Sequence, residues 1–458
     1  MRRALATTGA TRRALATTGS MRRAPAAAIL MAVLASACTA RPAQLAQSTA
    51  PASSAPNSAP TPVTSSPPPA ASPASAAVSS PADPPTAAAS SASAPATSPS
   101  ASSSSARSHA PSASPSSSAS IVGSTGGLKL EKVITGHLNE KSVAASGNGL
   151  VLAQNMMYLH TINVYDRSYK LVKIISDAVN LASFGYPQYP GTYKGAPVEA
   201  AFSSDHKFGY VTNYSMYGAA PFTREGTDVC SPASKFPDSF VYRINLATLA
   251  IDQVTQVGAV PKFVAVTPNG KYVLVSNWCS YTESVIDAAT GAVVQTITLG
   301  AYPRGIAVDS TSSTAYVAIM GSTRIAAMDL NTFAITWISN VGSAPRHLVI
   351  SPDDHWLYAT SNGDGLVAKI DLSTRSVVRR VGTGQAPRSM TISPDGSKLF
   401  VVNYLSNTMS EVRTADMRVV QTVPTNPNPI GITYDADTHR VWVACYTGSI
   451  MVFRDGAS

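Results

Sequence analysis

One pattern returns along the second half of the chain at a fixed step of 42 residues. A proline anchors each copy, at Pro261, Pro303, Pro345, Pro387 and Pro429. A repeat of this length indicates a chain built from one supersecondary unit used many times. It constrains the fold strongly, because each unit must bury its apolar faces against its neighbours.

Two further units extend the repeat towards the N-terminus. Pro197 lies one step plus 22 residues before Pro261, and Glu140 takes the anchor position one step plus 15 residues before Pro197. The longer step places an insertion between Asn213 and Asn245, and the shorter one places an insertion at residues 180–197. Residues 127–458 therefore form one domain of seven units with two insertions.

Each unit has the pattern of four short strands. After Pro387 these are "RSMTIS", "KLFVVNY", "MSEVRT" and "RVVQTVPT", and "SPDG" supplies a tight turn between the first two. The alternation and the β-branched content favour strands, and no segment has a helical period. Four-stranded units at this spacing predict an all-β fold, a seven-bladed β-propeller.

The two ends of the domain complement each other. The last unit stops at its third strand, "IMVFRDGAS", while the domain begins with "LKLEKVIT", which looks like the fourth strand of the other units. We expect this first strand to complete the last blade. The closed ring then leaves no inner edge unpaired.

The second strand of the units carries a recurring signature. Residues 210–213 spell YVTN, and variants occupy the equivalent position of other units, at 274–277, 316–319, 358–361, 400–403 and 442–445. Residues 127–458 thus resemble the YVTN-repeat β-propellers, close to the YncE-like propellers of bacterial envelopes. Some related propellers are lactonases acting on sugar lactones, and others are domains of quinone or copper oxidoreductases. None of their catalytic residues is matched here. The YncE-like resemblance implies weak binding of single-stranded DNA as a further possibility.

Residues 1–38 carry the pattern of a secretion signal. The stretch "MRRAPAAAILMAVLASAC" has a basic start at Met21, a short apolar stretch and small residues before Cys38. It is too short to span a bilayer as a stable helix. Its end resembles a lipobox, in which Cys38 becomes the lipidated first residue, while the alternative is ordinary secretion with cleavage near Ala37. Since "RRALATTG" occurs twice before Met21, we expect translation to start at Met21.

Residues 39–126 are mostly Ser, Ala and Pro, a composition that predicts a disordered tether. The charge of the chain is unevenly divided. Residues 1–126 hold eight Arg and one acidic residue, whereas residues 127–458 hold 26 basic and 24 acidic residues. The folded domain is therefore near neutral, and the high isoelectric point does not argue for nucleic acid binding.

A basic residue follows the anchor in five of the units, namely Lys141, Lys262, Arg304, Arg346 and Arg388. This position begins the innermost strand, so the row should encircle one mouth of the central channel. One interpretation is an anion-binding ring, since Arg offers a forked donor to carboxylate or phosphate. The other is a set of pins that bond neighbouring blades. Val198 and Ile430 interrupt the row.

Both insertions should emerge at the same end as the basic row, and both are rich in aromatic residues. Added loops often carry function, and aromatic rings beside arginines suit glycans or peptides. The candidate ligand contacts among them are Tyr186, Tyr189, Tyr193, Tyr217 and Phe222. The alternative is a self-packed cap over the channel.

The cysteines of the domain have different expected roles. Cys230 and Cys279 occupy equivalent connections of adjacent blades, which predicts a disulfide in an oxidising compartment. Cys445 holds the Asn position of the YVTN signature and is expected to be a buried thiol. Asp287, Asp329 and Asp371 recur after the third strand, where turn chemistry explains them better than a metal site.

The sequence contains no GxSxG elbow, HExxH, CxxCH or phosphate loop, so no catalytic residue, metal or cofactor is assigned. We predict a monomeric, non-enzymatic recognition module, held outside the cytoplasmic membrane by lipidated Cys38. Its partner would be an envelope protein, a glycan or a peptide, with nucleic acid disfavoured. The alternatives are a lactonase-type hydrolase, which should bring acid and His groups together at the channel mouth, and a propeller that binds single-stranded DNA.

Overall fold

The computed structural model describes residues 127–456. The predicted secretion signal, the lipidation site Cys38 and the Ser/Ala/Pro-rich tether lie outside the described residues. Within them the chain forms seven four-stranded antiparallel sheets and one two-stranded sheet. The predicted all-β, seven-bladed propeller of four-stranded blades is confirmed.

Each blade is an up-and-down sheet whose strands follow one another from the channel outwards. Blade one contains β2 Glu140–Ala145, β3 Leu150–Asn155, β4 Thr161–Asp166 and β5 Leu171–Ser176. Blade two contains β8 Pro197–Phe202, β9 Phe208–Asn213, β10 Ser239–Asn245 and β11 Ala250–Val257. Blade three contains β12 Pro261–Val266, β13 Tyr272–Asn277, β14 Thr282–Asp287 and β15 Val293–Thr298. Blades four and five contain β16 Pro303–Val308, β17 Thr314–Ile319, β18 Arg324–Asp329 and β19 Ile335–Ile338; and β20 Pro345–Ile350, β21 Trp356–Ser361, β22 Leu366–Asp371 and β23 Ser376–Gly382.

The last two blades complete the ring. They contain β24 Pro387–Ile392, β25 Lys398–Asn403, β26 Thr408–Arg413 and β27 Arg418–Pro424; and β28 Pro429–Asp435, β29 Arg440–Cys445, β30 Ser449–Arg454 and β1 Lys129–Thr135. The fourth strand of blade seven is thus the first strand of the domain, paired antiparallel from Lys129↔Arg454 to Thr135↔Ser449. The predicted closure is confirmed.

The two insertions lie where the repeat spacing predicted them. The first, before β8, contains the short pair β6 Val179–Asn180 and β7 Thr192–Tyr193 and a 3-10 helix at Leu181–Phe184. The second, between β9 and β10, contains a 3-10 helix at Pro232–Ser234. Lys194 and Tyr217 join the two insertions through a β-bridge. Neither of these helices is long and apolar enough to cross a membrane, and no other helix of residues 127–456 is either.

The core lies between the blades rather than within any one of them. The middle strands are buried on both faces, as in β25, while the outermost strands, such as β27, are largely exposed. Apolar side chains of adjacent blades pack together; Phe400 of blade six, for example, shares a cluster with Ile432 and Val443 of blade seven. Each blade therefore needs both neighbours to bury its faces, which explains why a closed ring is stable.

Two glycines allow the innermost strands to approach closely. A Cβ at Gly305 would lie 2.8 Å from the Cα of His347, and one at Gly431 would lie 2.6 Å from the Cα of Ser142. Both contacts are with the backbone of the neighbouring blade, which cannot yield as a flexible side chain could. Larger residues at these positions would therefore force the inner strands apart.

The recurring aspartates after the third strands form turns, as expected. Asp287 Oδ1 accepts a hydrogen bond of 2.8 Å from the backbone N–H of Thr290, and Asp329 Oδ1 accepts one of 2.8 Å from that of Thr332. Asp371 Oδ1 does the same for the N–H of Ser373 at 2.8 Å. These side chains replace backbone partners in the connection from the third to the fourth strand.

Candidate functional site

The basic row lies at a backbone irregularity that recurs in every blade. The pairing of the first two strands shifts directly after the anchor residue, for example between Pro261 and Phe263 in blade three and between Pro303 and Ile306 in blade four. The first residue after the anchor is the one that is basic in five blades. A bulge of this kind leaves one residue without a partner across the sheet and redirects its side chain. The bulge explains how the side chains of Lys262 and its equivalents project away from the sheet at the channel end.

The five basic side chains converge from five different blades. Burial lowers the pKa of Lys141 well below its usual value, and the charges of Arg346, Arg304, Lys262 and Arg388 lower it further. Cations at a single mouth act on one another in this way, whereas cations scattered over an outer surface are separated by solvent. Lys262, Arg304 and Arg346 are 4 to 6% exposed. We refer to the five residues as the basic ring.

Two members of the basic ring are bonded to the backbone of an adjacent blade. Arg304 Nη1 donates to the carbonyl oxygen of Lys262, and Arg346 Nε donates to the carbonyl oxygen of Arg388 at 3.0 Å. These contacts are those expected of pins between blades. Among the described residues, the Nε atoms of Arg304 and Arg388 have no hydrogen-bond partner. The ring thus combines structural contacts with unused donors.

A second ring at the same mouth consists of large side chains, and it was missed in the sequence. Lys262 Nζ lies 3.7 Å from the ring centroid of Trp278, the Arg388 guanidinium lies 4.0 Å from that of Tyr404, and Lys141 Nζ lies 5.3 Å from that of Tyr446. Cations gain electrostatic stabilisation over the face of an aromatic ring. These aromatic residues each follow the last residue of a YVTN-type segment. Positions 278, 320, 362, 404 and 446 keep the 42-residue step, so this signal was present in the sequence.

The residues that directly follow the basic row on the inner strands have side chains of other kinds. The ring of His347 packs against that of Phe263 from two blades away, with centroids 5.2 Å apart. Burial and the charges of Arg304 and Arg346 lower the pKa of His347 to about 3, so its imidazole is neutral. Burial raises the pKa of Glu199, although Arg304 and other nearby cations oppose this shift. Both residues were missed as channel groups in the sequence.

Four of the predicted aromatic ligand contacts lie in a packed cluster beside blade two. Tyr189 makes edge-to-face contacts with both Tyr193 and Phe222, at centroid distances of 6.4 and 5.0 Å. Tyr193 and Phe222 are each 2% exposed, and the Tyr186 hydroxyl accepts from the N–H of Gln256 on the outermost strand at 2.8 Å. Tyr193 and Phe222 therefore offer almost no surface to a ligand in this structure. The cluster is self-packed, but it lies on the outer strands of blade two rather than over the channel.

The fifth predicted contact, Tyr217, lies closer to the basic ring. It packs against an apolar cluster that includes Val198, Tyr214 and Trp278. Val198 is the residue that replaces a basic side chain in blade two, so this cluster borders the channel mouth. Of the five aromatic candidates, Tyr217 alone lies in a cluster that also contains a residue at the position after an anchor, Val198.

The second insertion reaches the basic ring through an acidic residue. Asp228 Oδ1 is bonded to Lys262 Nζ and accepts a hydrogen bond of 3.3 Å from the Tyr214 hydroxyl. Burial tends to raise the pKa of Asp228, but the charges of Lys262 and Lys141 outweigh it and lower the pKa to about 2. Asp228 is thus an anion placed among cations, and the sequence analysis did not single it out.

A disulfide holds this part of the insertion in place. Cys230 and Cys279 are joined, with Cα atoms 5.4 Å apart. The indole Nε1 of Trp278 donates to the carbonyl oxygen of Asp228 at 3.0 Å, and the Tyr281 hydroxyl donates to that of Cys230 at 2.8 Å. The third cysteine of the domain, Cys445, is a fully buried thiol. Burial raises its pKa to about 12, which makes the reactive thiolate rare.

Residues 127–456 contain no cluster of three or more His, Cys, Asp or Glu that could hold a metal ion. The site therefore offers cationic donors, aromatic faces and two carboxylates, Glu199 and Asp228. Such a set can bind an anionic group and orient it by stacking.

Comparisons with known proteins agree with this architecture. No curated protein matches the chain. The structure of Kuenenia stuttgartiensis hydrazine synthase is similar, with a TM-score of 0.56 and 16% sequence identity, over 71% of this chain and 98% of that one. An identity this low shows the fold alone. A family model described as YNCE-like beta-propeller matches residues 297–457, which include blades four to six and the last three strands of the chain. Residues 297–457 are thus similar to the YNCE-like β-propellers, and residues 127–456 as a whole form a seven-bladed β-propeller.

Proposed function

We propose that the propeller is a recognition module that binds an anionic group of an envelope protein, glycan or peptide at the mouth formed by the basic ring. In this proposal the propeller works outside the cytoplasmic membrane, on a tether anchored by lipidated Cys38. The supporting observation is the convergence of five cations from five blades on one mouth. Among the described residues, Glu199 and Asp228 are the acidic residues that rank among the main causes of the pKa shifts of the ring residues.

The electrostatics of the mouth favour an anionic ligand. Burial and, after it, the charges of the neighbouring cations lower the pKa of Lys141, and a bound anion would relieve the repulsion between these cations. The Nε atoms of Arg304 and Arg388, which have no hydrogen-bond partner within residues 127–456, would also gain one. Binding would therefore remove two costs already present in the free protein.

Recognition accounts for the channel better than hydrolysis does. A hydrolase of the lactonase type would need a general base near its substrate, and such a base works best with a pKa near the working pH. The pKa of His347 is lowered to about 3, and its Nδ1 has no hydrogen-bond partner among the described residues. His347 therefore lacks the carboxylate partner that usually orients and activates a catalytic imidazole.

The test compares anion binding by the secreted protein and by two charge-matched variants. Lys141→Gln/Arg388→Gln removes two ring cations for which no hydrogen bond to the backbone is found in the part of the chain that the structure describes. Lys173→Gln/Arg379→Gln removes two exposed cations from outer strands β5 and β23. Titration calorimetry with hexaglutamate, inorganic phosphate and a single-stranded oligonucleotide should show binding that weakens with salt and is lost in the ring variant alone.

Three results would contradict the proposal. The first is the absence of binding to every probe. The second is equal binding by both double variants, which would place the anion outside the mouth. The third is turnover of a sugar lactone that is lost in His347→Gln, which would favour the hydrolase. Binding of the oligonucleotide alone would instead favour the nucleic acid alternative.

A further inference from the structure

Asp228 is the acidic residue of the long insertion that contacts the basic ring. Its carboxylate is bonded to Lys262 Nζ and to the Tyr214 hydroxyl through the same oxygen, Oδ1. Its negative charge also opposes the lowered pKa values of Arg304, Arg346 and Arg388, which come from three other blades. The carboxylate therefore lies where it acts on four members of the ring at once.

The backbone that carries Asp228 is fixed, whereas its side chain is open to solvent. The Trp278 indole holds the carbonyl oxygen of Asp228, and the disulfide anchors the chain two residues later at Cys230. The side chain of Asp228 is 79% exposed, while that of Lys262 is 8% exposed. A solvent-facing ion pair is weak and can be replaced by a competing anion. The lysine belongs to the site, and the carboxylate reaches it from outside.

We infer that Asp228 is a tethered occupant of the anion site, and that the ligand is a carboxylate-bearing molecule that displaces it from Lys262. This inference rests on the proposed function. The partners that Asp228 already has, an ammonium group, a phenol hydroxyl and the charges of the arginines, would receive the ligand's carboxylate in its place. Ligand binding then requires the Asp228 side chain to turn outwards, while the backbone and the disulfide stay in place.

A tethered competitor weakens the apparent affinity for the ligand, because only the molecules in which the competitor has left the site can bind. Since an exposed ion pair contributes little free energy, its removal should strengthen binding by about three- to tenfold. Asp228→Asn removes the charge and keeps the carbonyl oxygen that Trp278 holds. Asp238→Asn is the matched control, because Asp238 is an exposed acidic residue of the same insertion for which no hydrogen bond or ion pair is found among the described residues.

The experiment measures the affinity of both variants and the wild-type protein for hexaglutamate, with inorganic phosphate as the second probe. Burial lowers the pKa of Lys262 to about 7, and the negative charge of Asp228 opposes this shift. Loss of that charge in Asp228→Asn would lower the pKa of Lys262 further. The titration is therefore run at about pH 6, where glutamate side chains are still largely ionised. We expect Asp228→Asn to bind hexaglutamate three- to tenfold more tightly, and Asp238→Asn to match the wild type.

The remaining outcomes overturn the inference in distinguishable ways. Equal or weaker binding by Asp228→Asn, with wild-type binding that still requires Lys141 and Arg388, refutes the tethered occupant and leaves the proposed function standing. A gain for phosphate alone refutes the assignment to carboxylates. If neither the wild-type protein nor Asp228→Asn binds any probe, the inference and the proposed function are refuted together. A thermal melt of each variant shows that the fold is intact.

Discussion

A single repeated position serves two purposes in this propeller. Arg304 and Arg346 begin the inner strands of blades four and five, and each is bonded to a carbonyl of a neighbouring blade. Arg388 holds the same position in blade six, yet it stacks on Tyr404 and its Nε has no partner among the described residues. The difference arises because the contacts of each arginine depend on the groups that the neighbouring blade offers, and the repeat itself does not specify these groups.

The first prediction separates these roles through stability. Arg304→Ala should lower the free energy of unfolding by roughly 1–3 kcal/mol, because it leaves a buried carbonyl without its donor. Arg388→Ala should cost less than about 1 kcal/mol, since no backbone partner is lost. Chemical denaturation of the two variants measures both values. Equal losses would show that the backbone bond of Arg304 contributes nothing particular.

At the scale of the strand, closure of the ring depends on β1. This strand is mostly exposed and buries little apolar surface, so polar contacts should contribute to holding it. Glu131 lies between Arg440 of β29 and Arg454 of β30, with Oε1 2.9 Å from Arg440 Nη2 and 3.3 Å from Arg454 Nη2. The Gln421 side chain of blade six also accepts from the N–H of Leu128 at 2.7 Å. The closing strand is therefore attached to two blades.

The second prediction concerns this ion pair and its dependence on pH. Hydrogen bonds from Arg440 and Arg454 lower the pKa of Glu131 from 4.5 to about 2. Because the pKa is lower in the folded state, the pair stabilises the fold above about pH 4.5, and this stabilisation is lost as the pH falls towards 2. Glu131→Gln should therefore cost roughly 1–2 kcal/mol near neutral pH, allowing for partial exposure, and little near pH 2.

Denaturation of the wild type and the variant across this pH range measures the difference. Lys132→Gln is the matched control, because it changes one exposed charge on the same strand and breaks no ion pair found among the described residues. A difference between Glu131→Gln and the wild type that stays constant with pH would contradict the pKa assignment.

The whole molecule combines a closed ring with a long N-terminal extension of different composition. The structure describes residues 127–456, and the predicted secretion signal and lipidation site precede them in the sequence. The ring brings both insertions and the basic row to one end of the domain. If residues 39–126 form the predicted tether, its length of about ninety residues would let that end sample a large volume around an anchor, which suits a module that searches for a partner.

The third prediction concerns that anchor. If Cys38 is lipidated, Cys38→Ala should move the protein from the membrane fraction to the soluble one, because a single acyl-bearing residue is replaced by one that carries none. Fractionation followed by immunoblotting measures the shift. Cys445→Ala, which changes a buried thiol of the propeller, should remain with the membrane. Membrane association that survives the loss of Cys38 would contradict the lipoprotein prediction.

The number of blades, the strand order and the closing strand followed from the sequence, because a fixed 42-residue step and local strand and turn chemistry act within each unit. The same reasoning placed the basic row at one mouth and paired Cys230 with Cys279. The tertiary structure decided the rest. It packed four of the five aromatic candidates against the outer strands of blade two, distinguished Arg304 from Arg388, and brought Asp228 to Lys262. These outcomes depend on contacts between side chains that are distant in sequence and belong to different blades, and a repeat period carries no information about such contacts.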